Sequence, residues 1–218
     1  MKITINKKIS FNKDSRPYIV AEISGNHNGS KKLFLKHIRE AHKNGADMIK
    51  IQTYEPDDIT IKNTKLDTKI KKGIWKGKNL WDLYNKAQTP FAWHADAFKL
   101  AKKLKITLFS TPFSIRALKF LKKFNPKIYK ISSFEITDFN LINEIAKTKK
   151  PIIISTGSST FNEIRSALKI IERHHSKIIL LHGVSGYPTP IEEANINSIK
   201  FLQTKFKDYY IGLSDHTK

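Results

Sequence analysis

Ile152-Ile153-Ile154-Ser155-Thr156-Gly157-Ser158 is the stretch on which the fold turns. Three consecutive isoleucines are apolar on both faces of an extended chain, and the run stops at a serine, a threonine and a glycine. Residues 161–174 then repeat apolar side chains at helical spacing, and a second apolar run follows at 178–181. A strand that is apolar on both faces is buried on both faces, as in a parallel sheet covered by helices. Strand, amphipathic helix and strand make a βαβ unit. Working outward, the unit recurs: candidate strands lie at 18–23, 48–52, 107–110, 128–131, 152–155, 178–181 and 210–213. Helical spacing occupies 31–43, 90–104, 115–124, 140–147, 161–174 and 197–205. Seven such strands predict a TIM (β/α)₈ barrel truncated after its seventh strand, a single incomplete domain over residues 1–218. A doubly wound open sheet is the alternative. Residues 54–87 exceed an ordinary βα loop and hold Trp75, Trp81 and Tyr84. The helical spacing of residues 79–84 there suits a lid or partner surface, or aromatic packing of a short extra helix.

Composition narrows the function classes. No apolar run approaches the roughly 18 residues of a membrane span, and the first ten residues alternate lysine with isoleucine, so neither a span nor a signal peptide is expected and the cytoplasm is the default compartment. Cysteine is absent, which removes disulfides, thiolate nucleophiles and Cys-ligated zinc and leaves His, Asp and Glu for any metal. The net charge of +21 would suit nucleic acid, but only five of the 40 basic residues are arginine and the lysines are spread over helix faces. Nucleic acid and membrane are therefore not expected as partners, whereas an anionic small substrate fits the charge.

In a parallel barrel the chemistry sits at the C-terminal ends of strands, so polar residues there carry weight by position. These are Glu22 and Asn26-His27-Asn28-Gly29, Lys50 with Gln52, Thr111, Lys130 with Ser133 and Glu135, Ser155 with Thr156, His182 with Ser185 and Tyr187, and Ser214-Asp215-His216. Two strand lysines and hydroxyls on neighbouring strands form a plausible pocket for a phosphate plus a carboxylate. Each has a duller reading. Lys50 and Lys130 alternate with apolar neighbours and could point outward, although a barrel exterior covered by helices favours the mouth. His182 reads as a satisfied core histidine, Ser155 and Thr156 could close a turn, and either lysine could form a Schiff base as in aldolases.

The motifs Val20-Ala21-Glu22-Ile23-Ser24-Gly25-Asn26-His27-Asn28-Gly29, Lys50-Ile51-Gln52-Thr53-Tyr54, Ser110-Thr111-Pro112-Phe113, Tyr129-Lys130-Ile131, Ser155-Thr156-Gly157, Tyr187-Pro188-Thr189 and Gly212-Leu213-Ser214-Asp215-His216-Thr217 resemble the sialic acid synthase family, in order along nearly the whole chain. Gln52-Thr53-Tyr54-Glu55-Pro56-Asp57, Gly73-Ile74-Trp75, Leu80-Trp81-Asp82-Leu83-Tyr84 and Thr89-Pro90-Phe91-Ala92-Trp93-His94 resemble its pseudaminate branch, with neuraminate and legionaminate synthesis as alternatives. The resemblance implies condensation of phosphoenolpyruvate with an open-chain N-acylated amino sugar, giving a nine-carbon 2-keto acid and phosphate. It assigns phosphoenolpyruvate to Lys50, Thr111, Lys130, Ser133, Ser155, Ser185 and Ser214, the sugar to Gln52, Tyr187 and Glu135, and water or a sugar hydroxyl to Glu22. It makes His216 a ligand of a divalent metal, Mn²⁺ first with Mg²⁺ or Co²⁺ as substitutes. It also implies a homodimer at full length, a second metal histidine and a C-terminal antifreeze-like domain, the last two lacking from these residues. A chain that is not catalytic without a partner polypeptide is the reading from another class. An open seven-strand barrel also leads us to expect poor solubility or oligomerisation of the isolated chain.

Overall fold

Parallel strands joined by helices realise the alternation in the computed structural model, whose described residues are 2–12, 14–62, 69–71 and 75–217. The chain divides into two units, Met1–Pro17 with Lys127–Lys218, and Tyr18–Pro126. The former opens with an antiparallel pair that the sequence reading did not anticipate, β1 (Ile3–Thr4) and β2 (Ser10–Phe11). Its turn is local chemistry: the Asn6 side chain accepts from Lys8 N at 2.7 Å and Ile9 N at 2.9 Å.

The Tyr18–Pro126 unit runs β3 (Val20–Glu22), α1 (Lys31–Lys43), β4 (Met48–Thr53), a 3₁₀ turn (Pro56–Asp58), α2 (Leu80–Ala87), α3 (Phe91–Leu104), β5 (Thr107–Pro112) and α4 (Ile115–Lys122). Its three strands are parallel, with Glu22 opposite Lys50 and Gln52 opposite Thr111. Alternation along β4 sends Ile49 and Ile51 into a core with Phe34, Ile38, Ala97 and Leu108, and leaves Lys50 and Gln52 on the other face. Each of these larger side chains contributes about 1.5–3 kcal/mol by leaving water. Ser30 and Ser114 start α1 and α4 by accepting from Leu33 N and Ala117 N.

The second stretch of the other unit runs β6 (Tyr129–Ile131), α5 (Phe139–Ala146), β7 (Ile152–Ser155), α6 (Phe161–Glu172), β8 (Ile178–His182), α7 (Asn197–Lys205) and β9 (Tyr210–Leu213). Strands β6 to β9 are parallel, and Ile152, Ile154, Ile178 and Leu180 are fully buried. A capping box of Thr160 and Glu163 starts α6, and Asp138 caps α5.

All seven expected strands are present. Within each unit the spatial order of strands follows the chain, without the reversal that defines a doubly wound sheet. Boundaries moved where local signals are weakest. The first expected strand contracts to Val20–Glu22, the third extends to Pro112, and α3 starts after Pro90, whose fixed φ suits a helix entry. Gly73 and Ile74, part of the branch-discriminating motifs, lie outside the described residues.

Candidate active site

In the Lys127–Lys218 stretch, β6 carries Lys130 between Tyr129 and Ile131, and its side chain is almost wholly buried at 3% exposure. The amine reaches the strand ends: it donates to the Ile131 carbonyl at 2.8 Å and to Ser155 Oγ, at the end of β7, at 2.5 Å. The outward-pointing alternative for Lys130 is thereby excluded. Two residues beyond Ser155, Gly157 is the close-approach point. A Cβ there would stand 2.6 Å from the Gly183 carbonyl oxygen, 2.9 Å from Ser133 Oγ and 3.1 Å from Ser185 Oγ. The loops after β6, β7 and β8 thus bring two seryl hydroxyls against one bare Cα, beside the Lys130–Ser155 pair. Thr156 donates to the Leu181 carbonyl at 3.1 Å and closes its turn, the duller of its two readings. Gly157 itself was no more than part of a motif in the sequence; a glycine directly after a strand ending in Ser-Thr is the signal that marks it.

Glu135 follows on the 3₁₀ turn Phe134–Thr137, and its Oε2 is buried with no hydrogen-bond partner among the described residues. Burial pushes its carboxyl up to about 7, outweighing the opposing pull of its own backbone amide and the Lys130 ammonium. A carboxyl raised in this way keeps its proton in the folded state while the unfolded state has lost it. Folding stability therefore falls as pH rises from the ordinary value of 4.5 to about 7, by up to roughly 3 kcal/mol at one pK unit per 1.36 kcal/mol. Glu135→Gln is expected to flatten this slope and to exceed the natural chain in urea midpoint at pH 8 but not at pH 4. Parallel slopes for the two proteins would contradict the assignment.

His216, beyond β9, is fixed through Nδ1, which donates to the Val184 carbonyl at 2.6 Å and so leaves Nε2 as the acceptor nitrogen. Nε2 accepts from the Tyr187 hydroxyl at 3.2 Å, and the two rings pack 4.3 Å apart. Ser214 Oγ lies 3.5 Å from the same nitrogen, and its Cβ region abuts Gly183. Tyr187, Ser214 and His216 are thus one cluster. His182 bonds to the Ala194 carbonyl at 2.9 Å and is a satisfied buried histidine.

In the Tyr18–Pro126 unit, Glu22 and Lys50 face each other across β3 and β4 and form an ion pair. Burial pulls the Lys50 amine down to about 8. Thr111 is 1% exposed, and its hydroxyl has no partner among the described residues, a cost of about 1–3 kcal/mol that a bound acceptor would remove. Gln52 stands opposite it in register. Thr53 points the other way, to Ser110 Oγ at 2.6 Å and His94 Nε2 at 2.8 Å, and is structural. The described residues of the 54–87 insertion include aromatic packing. Tyr54 is held edge-on by Tyr84 and Phe113, Trp81 Nε1 donates to Asp57 at 2.7 Å, and Gly25 sits so close to Ala87 that a Cβ would come within 2.9 Å of it.

The profile of the NeuB family matches residues 37–218. The chain belongs to the NeuB family. It is 45% identical over 209 residues to the pseudaminic acid synthase of Campylobacter jejuni, covering 95% of this chain and 61% of that protein. The N,N'-diacetyllegionaminic acid synthase of the same species is 35% identical, over 92% of this chain and 60% of that one. The chain thus spans about three fifths of the length of these curated NeuB-type relatives. The crystal structure of the N-acetylneuraminic acid synthetase from Leptospira borgpetersenii, in complex with citrate, superposes with a TM-score of 0.87 at 30% identity, over all of this chain and 71% of that one. The α/β parallel architecture is therefore that of the NeuB family. No helix among the described residues is long and apolar enough to cross a membrane. Among the described residues no group of three or more His, Asp or Glu side chains is placed to hold a cation, so His216 and its neighbours do not by themselves fit a complete metal site.

Proposed function

We propose that the chain carries phosphoenolpyruvate-binding machinery of a nonulosonic acid synthase, condensing phosphoenolpyruvate with an open-chain 2,4-diacylamino sugar. The observation that supports it best is the convergence of Ser133 and Ser185 on Gly157, beside a buried Lys130 anchored to Ser155. A buried ammonium with several hydroxyl donors and a bare backbone is the donor set that a phosphate and a carboxylate require. Ser214 adds a hydroxyl in the same unit, while Lys50 and Thr111 are assigned phosphoenolpyruvate contacts in the other. C3 of phosphoenolpyruvate attacks the sugar aldehyde, water adds to the cationic C2, and the C2–O bond breaks to release inorganic phosphate and the 2-keto acid. Glu135, with a carboxyl near 7, is suited to pass a proton to or from the sugar oxygen at neutral pH. Tyr187 and Gln52 are proposed to hold the sugar, and Glu22 to hold the water or a sugar hydroxyl.

A divalent cation, Mn²⁺ or in its place Mg²⁺ or Co²⁺, is proposed to take His216 Nε2 as one ligand and needs further donors beyond the described residues. Its chemistry when bound is polarisation of the aldehyde. The full protein is proposed to work as a homodimer in the cytoplasm, where phosphoenolpyruvate is made. Identity of 45% to a pseudaminic acid synthase against 35% to a legionaminic acid synthase favours the pseudaminate precursor as the sugar. The test is phosphate release with phosphoenolpyruvate, Mn²⁺ and 2,4-diacetamido-2,4,6-trideoxy-altrose, beside N-acetylmannosamine. Turnover of the first sugar alone is expected. Preference for N-acetylmannosamine would overturn the specificity, and absence of phosphoenolpyruvate binding by calorimetry would overturn the reaction class.

A further inference from the structure

The 3₁₀ turn that follows Gln52 is built with more polar bonding than a surface turn needs. Arg116, the second residue of α4, donates from Nη2 to both carboxylate oxygens of Asp58 at 3.0 Å each and from Nη1 to Glu55. Asp58, at 9% side-chain exposure, also accepts from the Glu55 amide at 2.8 Å, so one carboxylate ties the turn internally and to α4. The guanidinium lies 5.6 Å from the Phe91 ring, at the start of α3. An exposed ion pair contributes little, but a guanidinium whose two prongs hold two carboxylates of one turn, that of Asp58 nearly buried, fixes geometry as well as energy. Between this clamp and β4 lies Tyr54, 2% exposed, held edge-on by Phe113. The strand end bearing Gln52 is therefore continuous with a turn that cannot shift unless Arg116 lets go.

We propose that Arg116 is a positioning residue for the amino sugar: by clamping Glu55 and Asp58 it sets the place of the Gln52 strand end and so governs sugar recognition, without touching phosphoenolpyruvate. This rests on the proposed synthase reading and assigns it a specificity device that none of the strand-end motifs contains. A misplacement of about 1 Å at a contacting group costs on the order of a hundredfold in rate. A turn released at one of several anchors should cost less.

The experiment compares the natural protein with Arg116→Met and Arg116→Lys. It measures KM and Kd for the altrose-configured sugar and for phosphoenolpyruvate, and amide hydrogen exchange over residues 52–58. For Arg116→Met the sugar constants are expected to rise about tenfold, those for phosphoenolpyruvate to stay within twofold, and exchange at 52–58 to quicken. Arg116→Lys, with one prong, is expected to recover part of the sugar affinity. If the natural protein binds the sugar and Arg116→Met leaves that affinity unchanged, or weakens phosphoenolpyruvate equally, the positioning role is overturned while the synthase reading stands. If the natural protein binds neither the sugar nor phosphoenolpyruvate, the synthase reading fails and this role fails with it.

Discussion

Replacing Lys130 by methionine is expected to remove phosphoenolpyruvate binding and phosphate release by roughly two to three and a half powers of ten, while leaving the fold intact. The side chain is 3% exposed and its amine is held by the Ile131 carbonyl and Ser155 Oγ, so it cannot be replaced by a neighbouring lysine or by water. Losing one partner of a buried charge pair costs about 3–5 kcal/mol, because the remaining charge, here the ligand's, is left without compensation. Methionine keeps the apolar stem; the ammonium's desolvation cost disappears, while the Ile131 carbonyl and Ser155 Oγ lose their shared donor, so the two effects oppose and thermal stability should change little. Calorimetric titration with phosphoenolpyruvate, beside a thermal melt, separates the two effects. An affinity within fivefold of the natural protein would remove Lys130 from the anion site. Arginine at this position should not rescue, because a planar fork does not fit the space of a point-like ammonium.

Gly157→Ala is the second large effect, and its signature differs. The added methyl would meet the Gly183 carbonyl at 2.6 Å, a backbone atom that cannot swing away, together with Ser133 Oγ at 2.9 Å and Ser185 Oγ at 3.1 Å. Relief requires the loop after β8 to retreat, carrying Ser185 with it, and the Ser133 hydroxyl to rotate off the cradle. Overpacking costs about 1–3 kcal/mol of stability, and displacing the hydroxyls should lower phosphoenolpyruvate turnover about a hundredfold. The melting temperature should therefore fall, unlike that of the Lys130→Met variant, and phosphoenolpyruvate binding should weaken with it. A Gly157→Ala protein with natural affinity would show that the two serines do not grip the ligand.

The α/β character was legible because it is written in local periodicity. Isoleucine-rich runs such as Ile152–Ser155 have no polar face to turn to water, and the stretches between them repeat at helical spacing, so strand and helix followed without tertiary information. Helices α1 and α7 match their expected residues because Ser30 caps the former and both end at the limit of their apolar stripe. The antiparallel pair β1–β2 was not legible, since two-residue strands have no period and are made by Asn6 bonding to its own backbone. Candidate positions at strand ends were likewise readable, because Ser155 and Ser214 each follow a recognisable apolar run and Lys130 interrupts one.

Residue order along the chain determined which side chains would stand at the strand ends, since alternation and register follow from the period of an extended chain. Tertiary structure alone decided which of them act on one another. Ser133, Gly157 and Ser185 are far apart in sequence and meet only when parallel strands align in register. The raised carboxyl of Glu135, the lowered amine of Lys50 and the orphan hydroxyl of Thr111 are consequences of burial, which no residue's identity specifies. The clamp of Arg116 on Asp58 is of the same kind: a guanidinium and a carboxylate 58 positions apart become partners because the turn after β4 and the first turn of α4 are packed side by side.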